Sequence, residues 1–175
     1  VDHAMEVNLE IPKAPLLFIK PSTTVIGPED AVVYPPETSK LEYEAELAII
    51  IKKETYQVSE ENVHEHILGY TCANDVTARD IQFGDGQWTR GKSFNTFCPL
   101  GPGIVSDINP EKLDIQLTLN GELKQASNTD KLIFSVPYLV HYISQVMTLL
   151  PGDVIITGTP HGIGPMNIGD TVSVK

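Results

Sequence analysis

A run of five apolar residues, Leu47 to Ile51, most constrains what this chain can fold into. A short run that is rich in β-branched residues and apolar on both faces is typical of a central strand covered on both sides. Its entrance is polar, because Glu42, Glu44 and Glu46 occupy every second position before it. Side chains alternate across a strand, so the sequence predicts one strand over residues 41–52 with three carboxylates on one face.

These carboxylates are candidate ligands for a cation. Carboxylates two residues apart on one face raise each other's pKa unless a cation lies between them. Mg²⁺ and Mn²⁺ prefer oxygen ligands and accept carboxylates readily. The alternative is a solvated face of an edge strand, and the spacing alone leaves both interpretations open.

A second polar cluster interrupts an apolar strand predicted over residues 67–73. Asp75 is the candidate third ligand in this cluster, and Arg79 and Gln82 share one face of a short helix predicted over residues 77–83. Arg79 and Lys92 are the positive charges that would balance an anionic ligand. The alternative makes Asp75 a helix cap and Arg79 its surface ion-pair partner.

Residues 86–93 fit the phosphate-binding pattern G-x-x-x-x-G-K-S letter for letter. That pattern binds phosphate when a strand precedes it and a helix follows it. Here a helix and a turn are predicted before it, and an extended, proline-terminated segment after it. Nucleotide hydrolysis is therefore an alternative that the sequence context disfavours.

Charge and composition exclude other classes of protein. The 175 residues include 12 Lys plus Arg against 23 Asp plus Glu, a formal net charge of −11, which argues against nucleic-acid binding. No apolar stretch approaches the roughly 20 residues that cross a bilayer. Two cysteines without metal-site or disulfide spacing favour a reducing, cytoplasmic setting. The length and the absence of linkers predict a single domain over residues 1–175.

The order of the remaining elements predicts the fold class. Alternation over residues 113–119, followed by Asn120-Gly121 and a return strand from residue 122, predicts a β-hairpin. Helical spacing of apolar residues over 135–149, with Pro137 in the first turn, predicts a helix. Short strands are predicted at 154–157 and 170–175. Strands outnumber helices without regular alternation, so an α+β, β-rich fold is favoured.

Taken together, several segments resemble the fumarylacetoacetate hydrolase family. They run in order along nearly the whole chain, at residues 2–6, 15–20, 43–47, 69–82, 92–94, 134–137 and 157–160. The resemblance implies a mixed β-sandwich roll with a few short helices, in a catalytic domain that lacks its extreme N-terminal and C-terminal segments and forms a homodimer.

The resemblance also implies roles for individual residues. Glu44, Glu46 and Asp75 would hold Mg²⁺ or Mn²⁺, with Glu42 outside the ligand set. Three residues would be catalytic: His3 and Glu6 as a water-activating lid dyad, and Lys92 as a charge-stabilising group. The residues that would contact the substrate are Arg79, Gln82, Lys92 and Thr159.

The implied function is that of a metal-dependent enzyme acting on small anionic 2-oxo acids through a metal-stabilised enolate. Hydrolysis of an acylpyruvate or decarboxylation of oxaloacetate is the first expectation, and isomerisation of a 2-hydroxyhepta-2,4-diene-1,7-dioate is the alternative. A non-catalytic cation-binding module, with the ligands but no working lid, is the alternative of a different class.

Overall fold

The computed structural model describes residues 12–175, and it has few helices and many short strands. The α-helices are α1 (Arg79–Asp85), α2 (Trp88–Lys92) and α3 (Val136–Val146). Short 3-10 helices cover Ser22–Thr24, Glu60–His66 and Thr129–Lys131. The strands are β1 (Val25–Ile26), β2 (Leu41–Tyr43), β3 (Ala45–Ile51), β4 (Ile67–Asn74), β5 (Thr77–Ala78), β6 (Cys98–Pro99), β7 (Asp114–Leu119), β8 (Glu122–Asn128), β9 (Val154–Ile156), β10 (Gly164–Pro165) and β11 (Val172–Val174).

The strands form small sheets rather than one large one. Three sheets are antiparallel and three-stranded, in the orders β4-β3-β9, β10-β2-β5 and β11-β7-β8, and β1 pairs with β6 in parallel. This arrangement confirms the predicted α+β, β-rich class.

The predicted strand over residues 41–52 is divided in two. Glu44 separates β2 from β3, and the two strands belong to different sheets. The apolar part behaves as predicted, since every residue of β3 is buried and β3 is central, between β4 and β9. The prediction of one continuous strand is therefore wrong at Glu44, where the chain passes from one sheet to the next.

Two hydrophobic clusters lie on either side of this passage. The first joins β3 and β4 to α3 and the 3-10 helix at 60–66, with Ile49, Val63 and Val140 at its centre. The second joins β2 and β5 to the hairpin, with Phe97 and Leu117 fully buried. Glu44 thus lies where two cores meet.

The predicted hairpin and helix are present. Asn120 and Gly121 adopt φ values of 52° and 81°, which suits the tight turn that joins β7 to β8. Helix α3 begins after Ser135, whose side chain accepts a hydrogen bond from the amide of Tyr138, and Pro137 lies in its first turn. Helix α3 ends at Val146, three residues before the predicted end.

Within residues 12–175, no helix is long and apolar enough to span a bilayer.

Candidate active site

Three carboxylates converge at the passage between the sheets. One oxygen from each of Glu44, Glu46 and Asp75 lies within 4.8 Å of the others, and all three residues are buried. The alternative of a solvated edge-strand face is wrong, because Glu44 and Glu46 are each only 3% exposed.

The antiparallel register brings Asp75 to the glutamates. Ala45 pairs with Asn74 and Glu46 with Ala73, so the residue after β4 lies beside the residue before β3. The amide of Asp75 donates to the carbonyl of Glu44 at 2.8 Å, and the amide of Glu44 donates to the side chain of Asn74 at 2.9 Å. Backbone pairing therefore fixes the spacing of the two acids.

Lys92 bridges two of these acids from α2. Its ammonium donates to Glu44 Oε2 at 3.0 Å, to Asp75 Oδ2 and to Thr77 Oγ1 at 2.8 Å. Burial alone would lower the pKa of Lys92, but the negative charges of Asp75, Glu44 and Glu46 outweigh it and raise the pKa to about 12. The ammonium therefore stays protonated and acts as a fixed positive charge rather than as a base.

Arg79 organises the other side of the cluster. Its Nε donates to Glu42 at 2.7 Å and its Nη1 to the Gln82 side chain at 2.6 Å, while Nη2 donates to Glu44. Burial opposes the charge of Arg79, but Glu44 and Glu42 outweigh it and raise its pKa. Glu42 lies outside the triad, as predicted, and is paired with Arg79 and Lys40.

Lys20 also belongs to the site, although the sequence predicted no role for it. Its side chain is 7% exposed, and its ammonium donates to Asp75 Oδ1 at 2.7 Å and to the carbonyl of Lys92. The signal was present in the sequence, as a single lysine between the apolar residues 16–19 and a proline. A lysine in such a position is a candidate for burial against an acid.

The electrostatic balance of the cluster follows from these contacts. The buried acids Glu42, Glu44, Glu46 and Asp75 face three cations with buried side chains, Lys20, Arg79 and Lys92, which leaves a formal charge of −1 before the exposed Lys40 beside Glu42 is counted. Burial, reinforced by the charges of Asp75 and Glu44, raises the pKa of Glu46 well above its usual range, although Lys92 and a hydrogen bond from Gly158 oppose the rise. A further cation beside Glu46 would relieve this cost.

The loop after β9 completes the polar group. The amide of Gly158 donates to Glu46 Oε2 at 2.6 Å, and the Thr159 hydroxyl accepts a hydrogen bond from Gln125 at 2.9 Å. Gly158 has a φ of 101°, a conformation that favours glycine. The loop therefore lies against Glu46, the acid that β3 carries.

A cavity of about 540 Å³ opens onto these side chains, a volume within the usual range of small-molecule sites. The structure brings seven of the predicted site residues to its wall: Glu44, Glu46, Asp75, Arg79, Gln82, Lys92 and Thr159. Apolar side chains, including Phe18, Phe83 and Trp88, form much of the remaining described wall. The predicted lid residues His3 and Glu6 lie outside the described residues, so their role stays a prediction.

The acid triad suits a small divalent cation. An octahedral Mg²⁺ holds its oxygen ligands at about 2.0–2.1 Å, so opposite ligands lie about 4.2 Å apart. Adjacent ligands in that geometry lie about 3 Å apart, so the triad oxygens, which lie within 4.8 Å of one another, would draw together around a bound ion. The all-oxygen donor set also fits Mg²⁺ or Mn²⁺ rather than a metal that prefers nitrogen or sulfur.

The phosphate-loop alternative is wrong. Residues 88–92 of that pattern form helix α2, and the lysine ammonium is held by Glu44 and Asp75. Gly91 is required for a different reason, since a Cβ there would lie 2.8 Å from the backbone nitrogen of Gln82 in α1. The glycine allows two helices to touch and thereby delivers Lys92 to the acids.

The chain is similar to known proteins in both sequence and structure. The family described as Fumarylacetoacetate (FAA) hydrolase C-terminal matches residues 1–175. The mitochondrial oxaloacetate tautomerase Fahd2a of Rattus norvegicus is 42% identical over 167 residues, which are 93% of this chain and 53% of that protein. The chain therefore spans about half the length of that relative.

Two solved structures have nearly the same fold. A 2-hydroxyhepta-2,4-diene-1,7-dioate isomerase from Mycobacterium marinum is 48% identical, with a TM-score of 0.92 over 94% of this chain and 65% of that one. A fumarylpyruvate hydrolase from Pseudomonas aeruginosa, in complex with Mn²⁺ and pyruvate, is 33% identical, with a TM-score of 0.93 over 99% of this chain and 79% of that one.

Proposed function

Because this chain belongs to the fumarylacetoacetate hydrolase family, whose named relatives are enzymes, we propose that it acts on small 2-oxo carboxylic acids through an enolate, with a divalent cation. The observation that carries the proposal is the buried triad of Glu44, Glu46 and Asp75 beside the fixed charge of Lys92, at the wall of a cavity. Mg²⁺ or Mn²⁺ is the proposed cofactor.

The chemistry of the residues supports this proposal. A divalent cation held by the triad would polarise the adjacent oxygens of a 2-oxo acid as a Lewis acid. The Lys92 ammonium, which Glu44 and Asp75 hold at the wall of the cavity, stabilises negative charge that develops on the substrate oxygen. Arg79 holds Glu44 in place, and the Thr159 hydroxyl and the Gln82 amide bind the anionic end of the substrate.

The reaction type depends on how protons move after the enolate forms. We propose hydrolysis of an acylpyruvate, with His3 activating water and Glu6 orienting the imidazole, or decarboxylation of oxaloacetate, which uses the same enolate without an attacking water. Tautomerisation of oxaloacetate is a second candidate, because a relative 42% identical to this chain carries that name. Isomerisation of a 2-hydroxy-2,4-dienedioate is the third, on the same ground from a solved structure 48% identical.

The apolar wall supports a substrate with a carbon chain beyond its oxo-acid end. Phe83 and Trp88 line the cavity on the side of α1 and α2, and Phe134 and Ile155 line it elsewhere. An acyl chain would cover this surface, whereas the small dianion oxaloacetate would not, so the wall favours an acylpyruvate over oxaloacetate. We further propose that the catalytic unit is a single domain that works as a homodimer.

The test uses three substrates and two matched variants. We expect turnover of acetylpyruvate, oxaloacetate or a 2-hydroxy-2,4-dienedioate with Mg²⁺ or Mn²⁺, abolished by exhaustive chelation and restored by the ion. Glu46→Gln should lose Mn²⁺ binding, measured by electron paramagnetic resonance, whereas Glu42→Gln should retain it. Activity that survives chelation would overturn the metal role. Mn²⁺ binding without turnover of any substrate would instead favour the non-catalytic module.

A further inference from the structure

Gln125 is a buried side chain that joins the acid-bearing strand to the loop of Thr159. It lies on β8, is 1% exposed, and was not predicted as a site residue. Its Oε1 accepts from the amide of Ala45 at 2.9 Å, between Glu44 and Glu46. Its Nε2 donates to Thr159 Oγ1 and to the Pro160 carbonyl, both at 2.9 Å.

A β-bulge aims Gln125 inward. Leu117 pairs with Gln125, but Thr118 pairs with Leu123, so one residue of β8 is extra at this point. In a regular strand, Leu123 and Gln125 would share a face. Here Leu123 is 54% exposed whereas Gln125 is buried, because the bulge reverses the alternation. Bulges of this kind occur beside active sites, where they redirect a side chain.

The loop is shaped to receive this side chain. Gly162 has a φ of 93°, and a Cβ there would lie 2.3 Å from the carbonyl of Lys124, the residue before Gln125. The loop thus lies flat on β8, held at Gly158 by Glu46 and at residues 159–160 by Gln125. Its position is therefore tied to β3 from two directions.

The hydrogen-bond partners fix the orientation of the Gln125 amide. The Ala45 amide can only donate and the Pro160 carbonyl can only accept, so Oε1 must face β3 and Nε2 must face the loop. Thr159 Oγ1 therefore accepts from Nε2 and keeps its own proton for another partner. Thr159 lines the cavity that holds the acid triad, so that proton is available to an anion bound there.

We infer that Gln125 is a positioning residue that sets the Thr159 hydroxyl as a hydrogen-bond donor to the carboxylate end of the 2-oxo acid. The inference rests on the proposed function, and it adds a residue to the site without direct contact with substrate. Gln125 acts through Thr159, at a distance from Glu44 and Glu46 that the Ala45 contact fixes.

The first experiment measures binding of oxalate, a non-reacting 2-oxo-acid mimic, to the Mn²⁺-loaded protein by calorimetry. Gln125→Met keeps the length of the side chain but removes both polar ends. Gln125→Glu keeps the acceptor for Ala45 and removes the amide donor, and it decides the question if the first variant does not fold. A hydrogen bond to a charged group is worth about tenfold to a hundredfold in affinity, and we expect each variant to lose that much.

A double-mutant cycle separates positioning from general disruption. Thr159→Val should weaken oxalate as much as Gln125→Met, and the double variant should be no weaker than either by more than about twofold. Mn²⁺ affinity should stay within about threefold in Gln125→Met, Thr159→Val and the double variant, none of which adds a charge near the triad. In the metal-free protein, amide exchange over residues 158–162 should accelerate in the Gln125 variants but not in Thr159→Val.

Each result decides the inference. Additive losses in the double variant, or a loss of Mn²⁺ affinity as large as the loss for oxalate, would show that Gln125 serves only the fold. An unchanged oxalate affinity in both Gln125 variants would also overturn it. A wild-type protein that binds neither Mn²⁺ nor oxalate refutes the proposed function itself, and that failure is visible before any variant is measured.

Discussion

The close contact between α1 and α2 yields a prediction whose magnitude follows from distances. In Gly91→Ala, the added Cβ would lie 2.8 Å from the backbone nitrogen of Gln82 and 2.9 Å from its Cα. Because these neighbours are backbone atoms, no rotamer change relieves the contact. Ordinary contact begins at 3.4 Å, so α2 must move away from α1 by about 0.6 Å.

Gly84→Ala is the matched control, since Gly84 lies in α1 with nothing within 4 Å of the added Cβ. Both changes gain up to about 1 kcal/mol of helix propensity, so the difference between the variants isolates the contact. Overpacking of this kind costs about 1–3 kcal/mol, and we expect Gly91→Ala to be less stable than Gly84→Ala by that amount in urea unfolding.

The displacement should also reach the site, because Lys92 follows Gly91 directly. A shift of about 0.6 Å lengthens the ammonium contacts to Glu44 and Asp75, and shifts approaching 1 Å at a catalytic group cost up to a hundredfold in rate. We expect kcat/KM to fall about tenfold in Gly91→Ala and to stay unchanged in Gly84→Ala. Equal stability and equal activity in the two variants would refute the argument that Gly91 serves helix contact.

Three further predictions test other parts of the structure. Lys92→Met removes the cation that bridges Glu44 and Asp75, so we expect the free energy of unfolding of the metal-free protein, measured in urea, to fall by about 3–5 kcal/mol. Adding Mn²⁺ should restore part of this stability. If it restores none, that result would argue against an ion among these acids. Asp80 accepts hydrogen bonds from Thr38, Ser39 and Ile81, and although burial opposes them they lower its pKa to about 2. A carboxyl group whose pKa is lowered by folding stabilises the folded state at pH values above its pKa in the unfolded chain, near 3.8, and loses this effect as the pH falls towards 2. The melting temperature of Asp80→Asn should therefore be lower than that of the wild type at pH 6, and the two should converge in acid. Leu117→Ala should lower the free energy of unfolding by about 2–5 kcal/mol, because this side chain is fully buried. Leu123 lies in the same hairpin but is 54% exposed, so Leu123→Ala should change it by less than about 0.5 kcal/mol. Similar losses in the two variants would contradict the bulge.

Much of the site could be predicted because its residue types are chemically restrictive. Alternate glutamates before an apolar strand are candidate cation ligands, Asp75 is a candidate third ligand, and the resemblance favours a metal site over a solvated face. Periodicity alone could not show that Glu44 lies between two strands, because the division depends on pairing with β4 and β10. The acids come together through that division and the register of β4.

Two site residues, Lys20 and Gln125, were not predicted, because a sequence pattern does not show which distant residues come into contact or where a strand contains a bulge. The sequence neighbours of Lys20 indicate burial against an acid, but they do not show that this acid is Asp75, 55 residues away. Gln125 lies in the predicted return strand, where regular alternation would put it on the same face as the exposed Leu123. The bulge in β8 turns it to the buried face instead. Long-range contacts and register shifts are therefore the two features that the sequence pattern does not contain.

The position of Glu44 between two hydrophobic clusters also bears on how the protein unfolds. Asp75 directly follows β4, which contributes to the first cluster, whereas Lys92, which pairs with Asp75, is carried by a helix that contacts β5 of the second. Opening either cluster alone would separate buried charges from their partners. The part of the protein that stays folded would then no longer hold all three acids of the triad together. The two cores are thus bound into one cooperative unit by their shared ion pairs, and partially unfolded forms of this protein are expected to be inactive rather than weakly active.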